Sequence, residues 1–164
     1  MCGICGELRF DGSIPERAVI ERMKEKLQKR GPDSEGAYVD APVAFGHRRL
    51  AIIDLTDKAS QPMIDEQAGV ALVFNGTIYN YPQLRKELQA LGHKFKSTGD
   101  TEVILRSYIE WGENCIVRLQ GMFAIGIWDR HEQSLLLARD RSGIKPLYFS
   151  QTPQRFLFAS NTQA

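Results

Sequence analysis

Met1-Cys2-Gly3-Ile4-Cys5-Gly6-Glu7-Leu8-Arg9-Phe10 sets a cysteine directly behind the first methionine and a strand-like run directly behind the cysteine. A methionine that precedes a small side chain is expected to be trimmed, leaving Cys2 as the amino terminus. Such a residue carries a thiol and a free α-amine, with reference pKa values of about 8.5 and 8. The amine can then take the thiol proton without help from a distant histidine. Ile4 to Phe10 reads as the first strand, closed by the Asp11-Gly12 turn.

The 164 residues suit one domain with a sizeable core. The net charge of +1, with both signs mixed along the chain, argues against a nucleic-acid binder or a strongly anionic partner. No apolar run is long enough to span a bilayer, and the N-terminus lacks the features of a signal peptide, so a cytoplasmic location is expected. Three cysteines, at positions 2, 5 and 115, give no disulfide framework. Cys115, within Cys115-Ile116-Val117, reads as a buried small hydrophobe.

A first helix is expected from Pro15, with Val19, Met23 and Leu27 on one face, stopping before Gly31-Pro32. Val43 to Phe45 and Arg49 to Leu55 read as short strands joined across Gly46-His47. Ala71 to Phe74 reads as a strand ending at Asn75-Gly76. Asn80 and Pro82 open a second helix with Leu84, Leu88 and Leu91 on its apolar face and Gly92 at its end. Thr101 to Trp111 forms a third, with Asp100 as N-cap. Met122 to Trp128 and Leu135 to Ala138 make a hairpin, and Pro146 to Phe149 pairs with Arg155 to Ser160. Strands, helices and then hairpins indicate α+β with antiparallel sheets. The abrupt stop after the last strand suggests a piece of a larger protein.

Hydrolysis of a carboxamide by a thiol needs an activated nucleophile, donors for the oxyanion and a clamp on the rest of the substrate. Asn75-Gly76 can offer a side-chain amide beside a glycine N–H, although Asn-Gly is also the strongest signal for a hairpin turn. Arg49 could bind a carboxylate or be a solvated surface arginine. Asp100 could hold an ammonium, serve as a plain cap, or do both. Arg30-Gly31-Pro32-Asp33 alone is a turn. Cys2-Gly3-Ile4-Cys5 has the spacing of half a zinc site or of a redox pair, but no second close pair completes a zinc site, and Cys5 is more simply an inward-facing strand residue. His47 is assigned no proton transfer, His93 and His131 read as surface residues, and Trp111 and Trp128 as core.

Nine runs now stand in register: Met1 to Gly6, Arg30-Gly31-Pro32-Asp33, His47 to Asp54, Gln61-Pro62, Phe74-Asn75-Gly76, Ile78-Tyr79-Asn80, Gly99 to Leu105, Gly121-Met122-Phe123-Ala124 and Arg139 to Tyr148. In this order the chain resembles, over essentially its whole length, the N-terminal glutaminase domain of a class II glutamine amidotransferase of the asparagine synthetase type. The resemblance implies the four-layer α-β-β-α sandwich of N-terminal nucleophile hydrolases. It implies attack of Cys2 on the glutamine side-chain amide, with release of ammonia through a glutamyl thioester. Asn75 and Gly76 would form the oxyanion hole. Arg49, with the backbone of Leu50, Ala51, Ile52 and Ile53, would hold the α-carboxylate, and Asp100 the α-ammonium. The Arg30-Gly31 loop would pack on the nucleophile's terminus. No cofactor is implied for this domain. ATP and Mg would serve a C-terminal synthetase domain beyond these residues, which receives the ammonia for asparagine-type ligase chemistry; a homodimer is one assembly open to such a protein.

One position departs from that pattern. Thr77 stands where asparagine synthetases usually carry a glutamate that would help hold the substrate ammonium. The departure, with Met1 to Gly12 and Phe74 to Leu84, is most similar to the branch that amidates N-acetylglutaminylglutamine. A catalytically weak glutamine-sensing or structural domain of the same fold is the alternative that Thr77 supports. An untrimmed Met1 would make the Cys2 nitrogen an amide, unable to act as base.

Overall fold

A computed structural model describes residues 1–164. The opening run forms strand β1, Gly3–Arg9, in which alternate side chains face opposite layers. Ile4 enters a cluster with Phe45, Val73, Trp128 and Phe158, whereas Cys5 packs with Ile20, Met23 and Leu27. Strand β1 pairs antiparallel with β3 (Val43–Arg49) on one side and β9 (Arg155–Ala159) on the other. Strands β2 (Ser34–Asp40) and β8 (Tyr148–Gln151) complete a sheet of order β2-β3-β1-β9-β8.

The second sheet has the order β4-β5-β6-β7, from Met63–Asp65, Val70–Ile78, Gly121–Asp129 and Ser134–Arg139. Helix α1 (Arg17–Lys26) covers the outer face of the first sheet. Helices α2 (Tyr81–Ala90) and α3 (Asp100–Trp111) cover the second, enclosing Leu72, Phe74, Leu88, Ile104 and Ile125. The layers therefore run α-β-β-α, with one apolar cluster at each of the three junctions. Each large side chain fully withdrawn from water there contributes about 1.5–3 kcal/mol. Cys115 is buried in the second-sheet layer, on a 3-10 turn after α3.

Several local expectations need correction. β3 runs unbroken through Gly46-His47, and Leu50 to Leu55 is not a strand. Arg49 ends the ladder because its guanidinium turns back onto the carbonyls of Asp54 and Thr56, while Asp33 takes the Ala51 N–H. β5 does not stop at Asn75-Gly76: both residues lie mid-strand, opposite Ala124 and Phe123, so there is no turn. Gly99, not Asp100, is the N-cap of α3, and Leu91 lies past the end of α2, 53% exposed. Trp128 is core, but Trp111 is only partly buried, with the Arg118 guanidinium stacked 3.7 Å over its ring. Strands β2 and β4 were not expected at all.

Candidate active site

Cys2 lies just ahead of β1, at the rim of the sandwich. Its thiol meets the main chain of Leu50: the Leu50 N–H donates to Sγ at 3.4 Å, and Sγ lies 3.6 Å from the Leu50 carbonyl. Arg30 Nε donates to the Cys2 carbonyl at 3.1 Å. Gly31 lets this loop lie flat on β3, since a Cβ there would stand 2.3 Å from the Arg48 carbonyl carbon. Asp33 bonds the Arg49 carbonyl through its N–H and the Ala51 N–H through its carboxylate. The Arg30–Asp33 loop thus fixes both the terminus and the loop beside the thiol.

A cavity of about 460 Å³ opens in front of Cys2, within the range of small-molecule sites. Arg49, Leu50, Ala51, Ile52, Ile53, Asn75, Gly76, Thr77 and Asp100 all border it, as do Met1, Gln61 and Lys145. Arg30 and Gly31 do not; they stand behind the terminus.

β5 supplies the donors. Phe123 exchanges both of its main-chain bonds with Asp140, through the Asp140 N–H and carboxylate. Gly76, its partner across β5 and β6, is therefore in a non-bonded pair, and its N–H points away from β6. β4 pairs only with Val70 to Leu72, so no strand lies opposite Gly76 on that side. The Asn75 side chain is buried on the layer between the sheets, and its Nδ2 has no acceptor. A buried donor left unpaired costs about 1–3 kcal/mol, which a ligand oxygen would recover.

Two charged side chains also border the cavity. Arg49 is 7% exposed, and its two bonds to loop carbonyls leave further N–H groups for the cavity. Asp100 is buried at the start of α3 and accepts from the Ile78 N–H at 3.0 Å. Burial raises its carboxyl above the ordinary value, partly offset by the N–H groups of Ile78 and its own helix. Thr77 brings a hydroxyl and no charge. Cys5 faces the α1 layer, where burial pushes its thiol up to about 12, whereas the Cys2 thiol meets the Leu50 main chain. No three His, Cys, Asp or Glu side chains converge as a metal site would require.

The whole chain, residues 1–164, matches the family model described as a glutamine amidotransferase domain. The chain belongs to this family. Several known proteins resemble it. It is 43% identical to the Bacillus subtilis protein named asparagine synthetase [glutamine-hydrolyzing] 3, over all of this chain and 27% of that protein. It is 40% identical to asparagine synthetase [glutamine-hydrolyzing] 1 of the same organism, over all of the chain and 26% of the relative. The chain thus spans about a quarter of the length of these relatives. Among solved structures, glutamine phosphoribosylpyrophosphate amidotransferase from B. subtilis superposes with a TM-score of 0.79 at 23% identity, over 98% of this chain and 42% of that one, a likeness of fold.

Sequence reasoning missed several residues around this cavity. Asp54 accepts from the N–H and hydroxyl groups of both Thr56 and Thr98, tying the Leu50–Leu55 loop to the approach of α3. These donors hold its carboxyl well below the usual range. Lys145 is buried at the cavity edge, and its Nζ lies 3.2 Å from Met1 Sδ. Gln61, known only as part of a Gln-Pro pair, holds β5. Nothing in residue type distinguishes these side chains from surface polar groups; only their place in the quoted runs marked them.

Proposed function

We propose that this chain, once Met1 is removed, hydrolyses glutamine to glutamate and ammonia and supplies the ammonia to an asparagine-synthetase-type amidation carried out elsewhere in a longer protein. The observation that carries the reading is one cavity bordered at once by Cys2, by the oxyanion donors Asn75 and Gly76, and by the oppositely charged Arg49 and Asp100. An α-amino acid with a side-chain amide fits that set of groups. Arg49 and the main chain of Leu50 to Ile53 take its α-carboxylate, and Asp100 its α-ammonium.

The free Cys2 amine accepts the thiol proton as Sγ attacks the amide carbon. The carbonyl oxygen becomes an oxyanion held by Asn75 Nδ2 and the Gly76 N–H. Its collapse breaks the C–N bond, and the nitrogen leaves as ammonia with the proton from the amine. Water then attacks the thioester, giving up a proton to the amine, and glutamate departs as the thiol re-forms. Loss of one oxyanion donor costs about 10²–10³ in rate, so Asn75→Ala should retain binding and lose turnover.

The acceptor, ATP and Mg belong to the synthetase part of this proposal, and Thr77 favours N-acetylglutaminylglutamine amidation over asparagine formation. A cytoplasmic setting suits both. Profiling acceptors with the longer protein tests the branch; asparagine as the sole product would reject it. Ammonia release by the purified chain, with its N-terminus verified by intact mass and Cys2→Ala as control, tests the glutaminase.

A further inference from the structure

Three alternate N–H groups of β5, on Phe74, Gly76 and Ile78, point away from β6 on the register described above. Two are already taken by side chains. Gln61 Oε1 accepts from Phe74 at 2.6 Å, and Asp100 Oδ2 accepts from Ile78 at 3.0 Å. Gly76, between them, is the one left to the cavity. Such an edge would otherwise bend or pair to satisfy its own donors.

We infer that Gln61 is a positioning residue that, with Asp100, pins β5 on both sides of Gly76 and reserves the Gly76 N–H for the substrate oxygen. This rests on the glutaminase reading and extends it to a residue to which that reading gives no role. Gln61 is built for the task. It is 7% exposed and borders the cavity. Its main-chain carbonyl lies against β2, where a Cβ on Gly36 would come within 2.0 Å of it. Its side-chain nitrogen reaches Thr101 Oγ1 at 3.4 Å, beside Asp100 on α3. One residue therefore links the first sheet, the second sheet and the helix that carries Asp100. Without its oxygen, the Phe74 N–H is buried and unpaired, and β5 shifts to satisfy it. Displacement of an oxyanion donor by about 1 Å costs on the order of a hundredfold in turnover.

The test uses the trimmed full chain. Gln61→Met keeps the volume and removes the acceptor; kcat should fall about tenfold to a hundredfold with KM nearly unchanged, since the lost contact serves the transition state alone. Gln61→Glu restores an acceptor oxygen and should recover most of that loss. Thr101→Val, which leaves Gln61 in place but frees its amide, should give a smaller fall in kcat. Alkylation of Cys2 by iodoacetamide should proceed at the wild-type rate in all three. Wild-type kcat in Gln61→Met and Thr101→Val overturns the inference, as does a loss of kcat that Gln61→Glu fails to recover or that comes with slowed alkylation. If Gln61→Met does not fold, the Thr101→Val kcat decides in the same way. An inactive wild-type chain would overturn the glutaminase reading, and this inference with it; an active one with unaffected variants overturns the inference alone.

Discussion

At Cys2 the chemistry rests on contacts that no single residue announces. The thiol is framed by the Leu50 main chain, and the Cys2 carbonyl by Arg30. Asn75-Gly76 is the clearest case of a pair that sequence alone leaves ambiguous. A turn and an oxyanion pair require the same two residues, the turn for positive φ and the strand for close approach. The strand wins here because a Cβ on Gly76 would stand 2.2 Å from the Met122 carbonyl oxygen. Thr77 lies next along and also borders the cavity. A charged partner for the substrate ammonium is worth about 1.5–3 kcal/mol, so Thr77→Glu should lower the glutamine KM by roughly tenfold to a hundredfold. Steady-state kinetics check this, and an unchanged or raised KM would remove position 77 from glutamine binding.

The segment Leu50–Leu55 illustrates what local pattern misses in an element. Leu-Ala-Ile-Ile-Asp-Leu has the apolar content of a strand, yet Ile52 and Leu55 are 70% and 74% exposed. A strand also needs an edge to pair with, and Arg49, Asp33 and Asp54 divert these backbone groups into a loop that walls the cavity. β2 was missed for the opposite reason: Ser34-Glu35-Gly36-Ala37 has little strand propensity, and pairing with β3 imposes the conformation. The periodic helices and the β6–β7 hairpin, whose signals are local, were legible. Since Asp54 ties the loop to Thr56 and Thr98, Asp54→Asn should weaken several charge-assisted bonds, raise the glutamine KM severalfold and speed amide exchange in residues 50–56. Hydrogen exchange with wild-type protection across the loop would show that Asp54 is dispensable there.

For the molecule as a whole, the two-sheet sandwich seals His47 between its layers with neither ring nitrogen hydrogen-bonded to a side chain. Burial pushes its pKa down to about 3, with Arg49 adding to the effect and the Phe74 carbonyl opposing it. Unfolded histidine titrates near 6.5. Between those values the unfolded chain binds the extra proton, so stability present above about pH 6.5 is lost as the pH falls towards 3. Ordinary carboxylates contribute mainly below about pH 5. Denaturant midpoints between about pH 6.5 and 5 should therefore drop with acid, and the slope should flatten in His47→Gln; an equal slope in both proteins would mean that His47 already carries its proton when folded. The order of layers was foreseen through the nine runs taken together, as was the gathering of Cys2, Arg49, Asn75, Gly76 and Asp100 around one cavity, whereas the burial of His47 and the Gln61 bridge depend on strands far apart in sequence. What finally matters is whether a freed α-amine turns Cys2 into a nucleophile towards glutamine. Ammonia release should be measured at saturating glutamine for three samples of defined mass: the trimmed chain, the same chain retaining Met1, and trimmed Cys2→Ala. Sustained release from the first and none from the other two is the predicted result; equal release from the Met1-bearing chain, or none from the trimmed one, would contradict it.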